Sequence, residues 1–262
     1  MPDSASSIRF LGAKLKIERS KRHLQELNSA IEAFMNERPY KTVGKFDANT
    51  GVHEIKVSVS KEVPLVFGPM VGDVIHNLRA ALDVLAVELA RENLHASRAA
   101  ISQTYFPISG NVDEFKRFGM SKMKRLKIAA QDIICRLKPY KGGNDLLWKL
   151  HQLDILDKHV LLVPVAAGFV DKKIGFSLPF TGDDVSGGAK ITMGEAAYPL
   201  KDGDVIATFA NIHPQVQPYV EVRFTIAFGE EHIVDGEPVI PTLHQFGQIV
   251  ESIVYDMEAT PL

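Results

Sequence analysis

The spacing of apolar residues changes its period partway along the chain, and this change constrains the fold more than any other feature. Before about residue 165, apolar residues mostly recur every three to four positions, the period of an α-helix that buries one face. After that point, short runs such as DVIATFA (204–210) and YVEVRFTIAFG (219–229) are punctuated by Gly, Asp and Pro, as in antiparallel strands. The pattern predicts an α+β protein.

Each of the two regions also contains one element of the other kind. Region 1–165 opens with a long predicted helix at 7–37, followed by a β-hairpin at about 40–60 around the turn formers of DANTG. The remaining helical patterns of this region lie at 70–93, 112–118, 122–138 and 144–159. We therefore expect an N-terminal helical bundle that carries a hairpin, then a C-terminal antiparallel sheet at 166–262 closed by a helix, all packed as one unit.

The predicted C-terminal helix follows Pro241 and carries a continuous apolar stripe. Its members are Leu243, Phe246, Ile249, Val250, Ile253, Val254 and Met257. Such a stripe docks either on the chain's own sheet or on a partner subunit, so a homo-oligomer formed through this helix is one expectation.

Composition narrows the class of protein. The hydrophobic share of 45% and the charged share of 24% are typical of a globular domain. No apolar run approaches the roughly 20 residues that span a bilayer, and the first ten residues lack a signal-peptide pattern. The single cysteine, Cys135, excludes an internal disulfide and a CxxC site. We expect a soluble, cytoplasmic protein without a membrane partner.

Positive charge is concentrated in one segment. From Lys116 to Lys141 there are nine Lys or Arg residues and one acid, Asp132. Such a run forms either a solvated face or a contact surface for an anionic ligand or nucleic acid.

The stretch GDVIHNLRAALD (72–83) places polar side chains inside an otherwise apolar helix. At about 100° per residue, His76, Arg79 and Asp83 share the face opposite the apolar one. Small residues on that same face, including Gly72, allow another element to approach closely. We therefore expect partial burial of all three side chains, and a buried arginine requires an anion or several acceptors.

A second polar run, LHQLDILDKH (150–159), offers that anion. Asp157 falls on the leucine stripe of its helix, whereas Asp154 lies at the edge, where it can pair with Lys158 at i+4. Asp157 has no local partner, and burying an unpaired carboxylate is costly. We predict an ion pair between Asp157 and Arg79 across a helix–helix contact.

The candidate polar cluster comprises nine residues: His76, Asn77, Arg79, Asp83, His151, Asp154, Asp157, Lys158 and His159. Its members suit a buried network that fixes helix packing, a ligand-binding or regulatory site, or acid–base or metal-dependent hydrolytic chemistry. No HExxH is present, and the side chains of His151 and His159 point in directions about 80° apart on an ideal helix. The spacing therefore matches no specific metal motif, and the sequence assigns no metal ligand and no particular cofactor.

GDVIHNLRAALD, YFPI and LWKLHQLDILDKH together resemble a family of uncharacterised bacterial proteins. That family carries a G-D-x-x-H-N-L-R-x-A-L-D-H motif, an F-P-I element and a D-K-H motif. The likeness covers roughly residues 40–165 and implies no function. A second resemblance is to HEPN-type helical nucleases, whose R-x-x-x-x-H motif cleaves RNA without a metal. Arg79 matches the arginine, whereas Val84 stands at the histidine position. This resemblance implies RNA binding or cleavage as an alternative function.

Overall fold

A computed structural model describes residues 9–93, 101, 103–177, 190–194, 198–234 and 236–261. It confirms the α+β class. The helices are α1 (Leu11–Asn36), α2 (Phe67–Arg91), α3 (Val112–Glu114, π-helical Phe115–Gly119 and Met120–Met123), α4 (Ile128–Leu137), α5 (Asp145–Asp157) and α6 (Val239–Ala259). The strands are β1 (Tyr40–Asp47), β2 (Val52–Val59), β3 (Pro164–Ser177), β4 (Lys190–Met193), β5 (Val205–Ala210) and β6 (Gln217–Phe228). Within the described residues, no helix combines the length and the apolar character needed to cross a membrane.

The chain forms two compact units that interleave along the sequence instead of dividing at residue 165. The first unit comprises Met1–Asn28, Gly68–Leu162 and Val239–Leu262, and the second comprises Ser29–Phe67 and Val163–Pro238. The hairpin therefore belongs with the strands that follow residue 165, and α6 belongs with the helices that precede it. Packing of both regions as one unit stays a prediction.

In the second unit, the hairpin is part of a four-stranded sheet of order β1-β2-β5-β4, and β3 pairs with β6 in a separate two-stranded sheet. Asp47 makes the hairpin turn, because its carboxylate accepts the Asn49 N–H (2.9 Å) and the Thr50 hydroxyl (3.0 Å). The alternation of β2 buries Ile55 and Val57 in the core of this unit.

Strand β3 begins earlier than its sequence indicates. Alternation is visible only from Lys173, whereas pairing with β6 starts at Pro164, opposite Phe228. Proline lacks an amide donor, and the first residue of a strand is a position that tolerates this loss.

In the first unit, α6 buries its apolar stripe, since Leu243, Phe246, Val250 and Met257 have no exposed surface. It begins at Val239, so Pro241 lies in the first turn, where its missing N–H costs no helical hydrogen bond. The stripe is thus buried within the chain. Self-association through α6 stays a prediction.

The basic region forms two helices where the sequence predicts one at 122–138. Helix α3 ends at Met123 and α4 starts at Ile128, and the intervening turn buries Leu126, whose N–H donates to the Met123 carbonyl (2.8 Å). The helix predicted at 122–138 is therefore interrupted at the turn that buries Leu126.

Candidate functional site

Arg79 is the centre of a closed hydrogen-bond network in the first unit. Its side chain is buried at 6% exposure, and each of its three nitrogens has a partner. Nη1 donates to Asp83 Oδ1 (2.6 Å), Nη2 to the Phe106 carbonyl (3.1 Å) and Nε to His151 Nδ1 (3.2 Å). Asp83 Oδ1 also accepts the Phe106 N–H (3.0 Å). The network joins α2, α5 and the extended segment that contains Phe106.

The predicted ion pair between Arg79 and Asp157 is wrong. Arg79 pairs instead with Asp83, four residues later on the same helix, where α-helical geometry brings the two side chains together. The contact with α5 is made through His151. Phe106 contributes only backbone atoms, so its side-chain type carries no signal of this role.

Helix α5 begins after Asn144, whose side-chain oxygen accepts the Leu147 N–H (3.2 Å) as an N-cap. Within this helix, Leu147, Leu150 and Asp154 are buried. Asp157 is the last residue of the helix, and its side chain is only partly buried. The structure thus buries Asp154 where the sequence favours Asp157.

His151 is held in its neutral form. Burial, the largest cause, and the Arg79 charge together lower its pKa to about 4, although the Asp154 charge opposes the shift. An unprotonated Nδ1 is also what the hydrogen bond from Arg79 requires, since a protonated nitrogen cannot accept it.

The second half of the cluster is open to solvent. Asp154 is 2% exposed and its carboxylate has two partners: Oδ1 lies 3.2 Å from His76 Nδ1, and Oδ2 accepts from Lys158 Nζ (2.6 Å). The predicted pair between Asp154 and Lys158 is confirmed. His76 and Lys158 have 55% and 52% of their side-chain surface exposed, so a buried carboxylate anchors two accessible groups.

Asp157 lies beside this open half. Among the described residues it has no hydrogen-bond or ion-pair partner, and its pKa is raised by burial and by the charges of Asp154 and Asp73. Gly72 makes room for it, because a Cβ at that position would lie only 2.4 Å from the nearer Asp157 oxygen. The carboxyl group is therefore confined without being paired.

Two of the nine candidate residues are not brought into the cluster. The Asn77 amide donates to the Asp73 carbonyl one turn earlier (2.8 Å), which is a local helix contact. His159 lies beyond the end of α5 and is exposed. Within the described part of the chain, no group of three His, Cys, Asp or Glu side chains is placed to hold a metal ion.

No protein-family model, no curated protein and no solved structure matches this chain. The resemblances to the bacterial family and to HEPN-type proteins stay predictions.

Proposed function

We propose that this chain is a ligand-binding protein in which the Arg79 network is structural and the His76 half of the cluster contacts the ligand. One observation carries the proposal: the exposed ring of His76 is anchored through Nδ1 on the buried carboxylate of Asp154. Arg79, in contrast, is buried and uses all three of its nitrogens within the chain.

The anchored ring has a defined chemistry. A neutral imidazole that donates its Nδ1–H to a carboxylate keeps Nε2 as a hydrogen-bond acceptor. Asp157 adds a second acceptor with no partner among the described residues. The open half therefore suits a ligand that presents hydrogen-bond donors, such as an amine or a polyol.

The test is an NMR titration that follows the ring Cε1–Hε1 signals of His76 and His159 with ethanolamine, putrescine and glycerol. We expect at least one of the three to shift the His76 signal in a saturable manner. His76→Gln should abolish binding, whereas His159→Gln, a control on an exposed histidine, should leave it unchanged. If none of these compounds shifts the His76 signal more than the His159 signal, the proposal is wrong.

The basic segment supports RNA binding as a second candidate function. Phe118 is 53% exposed, and the Arg117 guanidinium lies 5.0 Å from its ring centre. An exposed ring among cations supplies both base stacking and phosphate contacts. We propose binding and not cleavage, because the nitrogens of Arg79 are engaged within the chain.

A fluorescence anisotropy titration with a short poly-U RNA tests this second candidate. Phe118→Ala should weaken binding about tenfold, and affinity should fall steeply as salt rises. The control Tyr255→Ala removes a ring of equal exposure elsewhere in the first unit. Equal affinities of the two variants would contradict RNA binding at this segment.

A further inference from the structure

A groove of about 410 Å³ lies in the first unit, next to Asp83. Its walls come from the start of α1 at Gly12, from the second half of α2, and from Tyr105 in the extended segment. Its volume falls in the range of small-molecule sites. The charged side chains that line the groove are those of Asp83, Glu88 and Arg91.

Glu88 supplies an acceptor that the chain does not use. Its Oε1 accepts the Gly12 N–H at the start of α1 (3.2 Å), whereas its Oε2 is buried and has no hydrogen-bond partner among the described residues. Gly12 is required for this approach, because a Cβ there would lie 2.8 Å from Val84 Cγ1 and 3.0 Å from Glu88 Oε1. The negative charge of Glu88 therefore favours a cation in the adjacent groove.

Asp83 supplies a second acceptor. Its Oδ1 is occupied by Arg79 and by the Phe106 N–H, while Oδ2 has no hydrogen-bond partner among the described residues. The closed network thus fixes the orientation of a carboxylate that lines the groove.

Arg91 supplies the opposite charge. It is exposed and makes no hydrogen bond or ion pair with the part of the chain that the structure describes. The adjacent carboxylate of Glu92 is already bound by Arg9, at 2.8 and 3.0 Å. A guanidinium in this state can bind an external carboxylate through two parallel hydrogen bonds.

We propose that this groove binds the zwitterionic head group of an α-amino acid. The ammonium group is bound by Asp83 beside the negative charge of Glu88, the carboxylate is bound by Arg91, and the side chain packs against Tyr105 and Val84. A simple amine leaves Arg91 without an anion, and a simple carboxylate faces two acids. The proposal does not depend on the proposed role of His76.

The first test is isothermal titration calorimetry of the full chain with each of the twenty standard L-amino acids. The tightest binder is then compared with its decarboxylated amine and its deaminated acid; for L-leucine these are 3-methylbutylamine and 4-methylpentanoate. We expect the amino acid to bind at least about tenfold more tightly than either analogue. Absence of binding by every amino acid at about 10 mM, or an analogue that binds equally well, would overturn the proposal.

Two variants locate the binding. Arg91→Gln should weaken amino-acid binding by about 10-fold to 100-fold and leave binding of the amine unchanged. Glu88→Gln keeps an acceptor for the Gly12 N–H but removes the charge, so it should weaken binding of both the amino acid and the amine. Arg22→Gln is the matched control, since Arg22 is an exposed arginine of α1 without a partner among the described residues. Equal effects of the two arginine variants would place any binding elsewhere and refute the groove.

Discussion

Replacing Arg79 by methionine removes the guanidinium while keeping most of the stem that packs in the first unit. The variant removes the donor that Arg79 supplies to the Phe106 carbonyl and to His151 Nδ1, and it leaves Asp83 Oδ1 with only the Phe106 N–H. Removing one partner of a buried ion pair typically costs about 3–5 kcal/mol. Asp83 retains 33% of its side-chain exposure, so water compensates in part. We expect a loss of about 3 kcal/mol in the free energy of unfolding.

Urea unfolding followed by tryptophan fluorescence measures this loss. Trp148 is the chain's single tryptophan and lies on α5, the helix that carries His151. At roughly 2–4 °C per kcal/mol for a chain of this size, the melting temperature should fall by about 6–12 °C.

Arg91→Met is the matched control for this stability measurement. It removes a guanidinium from the exposed end of the same helix and should change the free energy of unfolding by less than about 0.5 kcal/mol. If Arg79→Met costs no more than this control, the network does not stabilise the fold and the reasoning fails.

Three further predictions concern pH and packing. The pKa of His151, about 4 when folded, lies below its ordinary value of 6.5, so its contribution to stability is complete above pH 6.5 and is lost as the pH falls toward 4. Urea unfolding at pH 7 and pH 4 should show a loss about 2 kcal/mol larger in the wild type than in His151→Gln, and equal losses would contradict this. Gly72→Ala should destabilise the chain by about 1–3 kcal/mol, because the new methyl group meets the Asp157 carboxylate, and Asp157→Ala should relieve most of that cost. Gly247→Ala, whose Cβ meets nothing within 4 Å, should instead stabilise by about 0.5–1 kcal/mol in the same thermal melts.

The candidate site was predictable where partners are close in sequence. Asp154 and Lys158 are four residues apart on one helix, and the spacing alone predicts their contact. Arg79 and Asp83 have the same spacing, yet the sequence also offered Asp157 as a partner, and periodicity does not rank a local acid against a distant one. The role of Phe106 depends on its backbone, which every residue shares.

The groove was not predictable from any motif. Gly12, Glu88 and Tyr105 are far apart in the sequence or lie in stretches without a pattern, and only packing in the first unit places them along one groove. The charge of Arg91 is visible in the sequence, but the state of its neighbour Glu92, which is bound by Arg9, is a tertiary contact.

The sequence by itself determined the helical period, the alternation of β2 and the turn at Asp47, because these are set by interactions within a few residues. It did not determine where β3 begins or the break between α3 and α4. Tertiary structure alone decided which strand the hairpin joins, which of Asp154 and Asp157 is buried, and which acceptors surround Arg79. The physical reason is that periodicity defines the apolar face of an element but not its register against another element. Asp154 and Asp157 lie about 60° apart around α5, so packing against neighbouring elements, and not the helical period, decides which of the two carboxylates is buried.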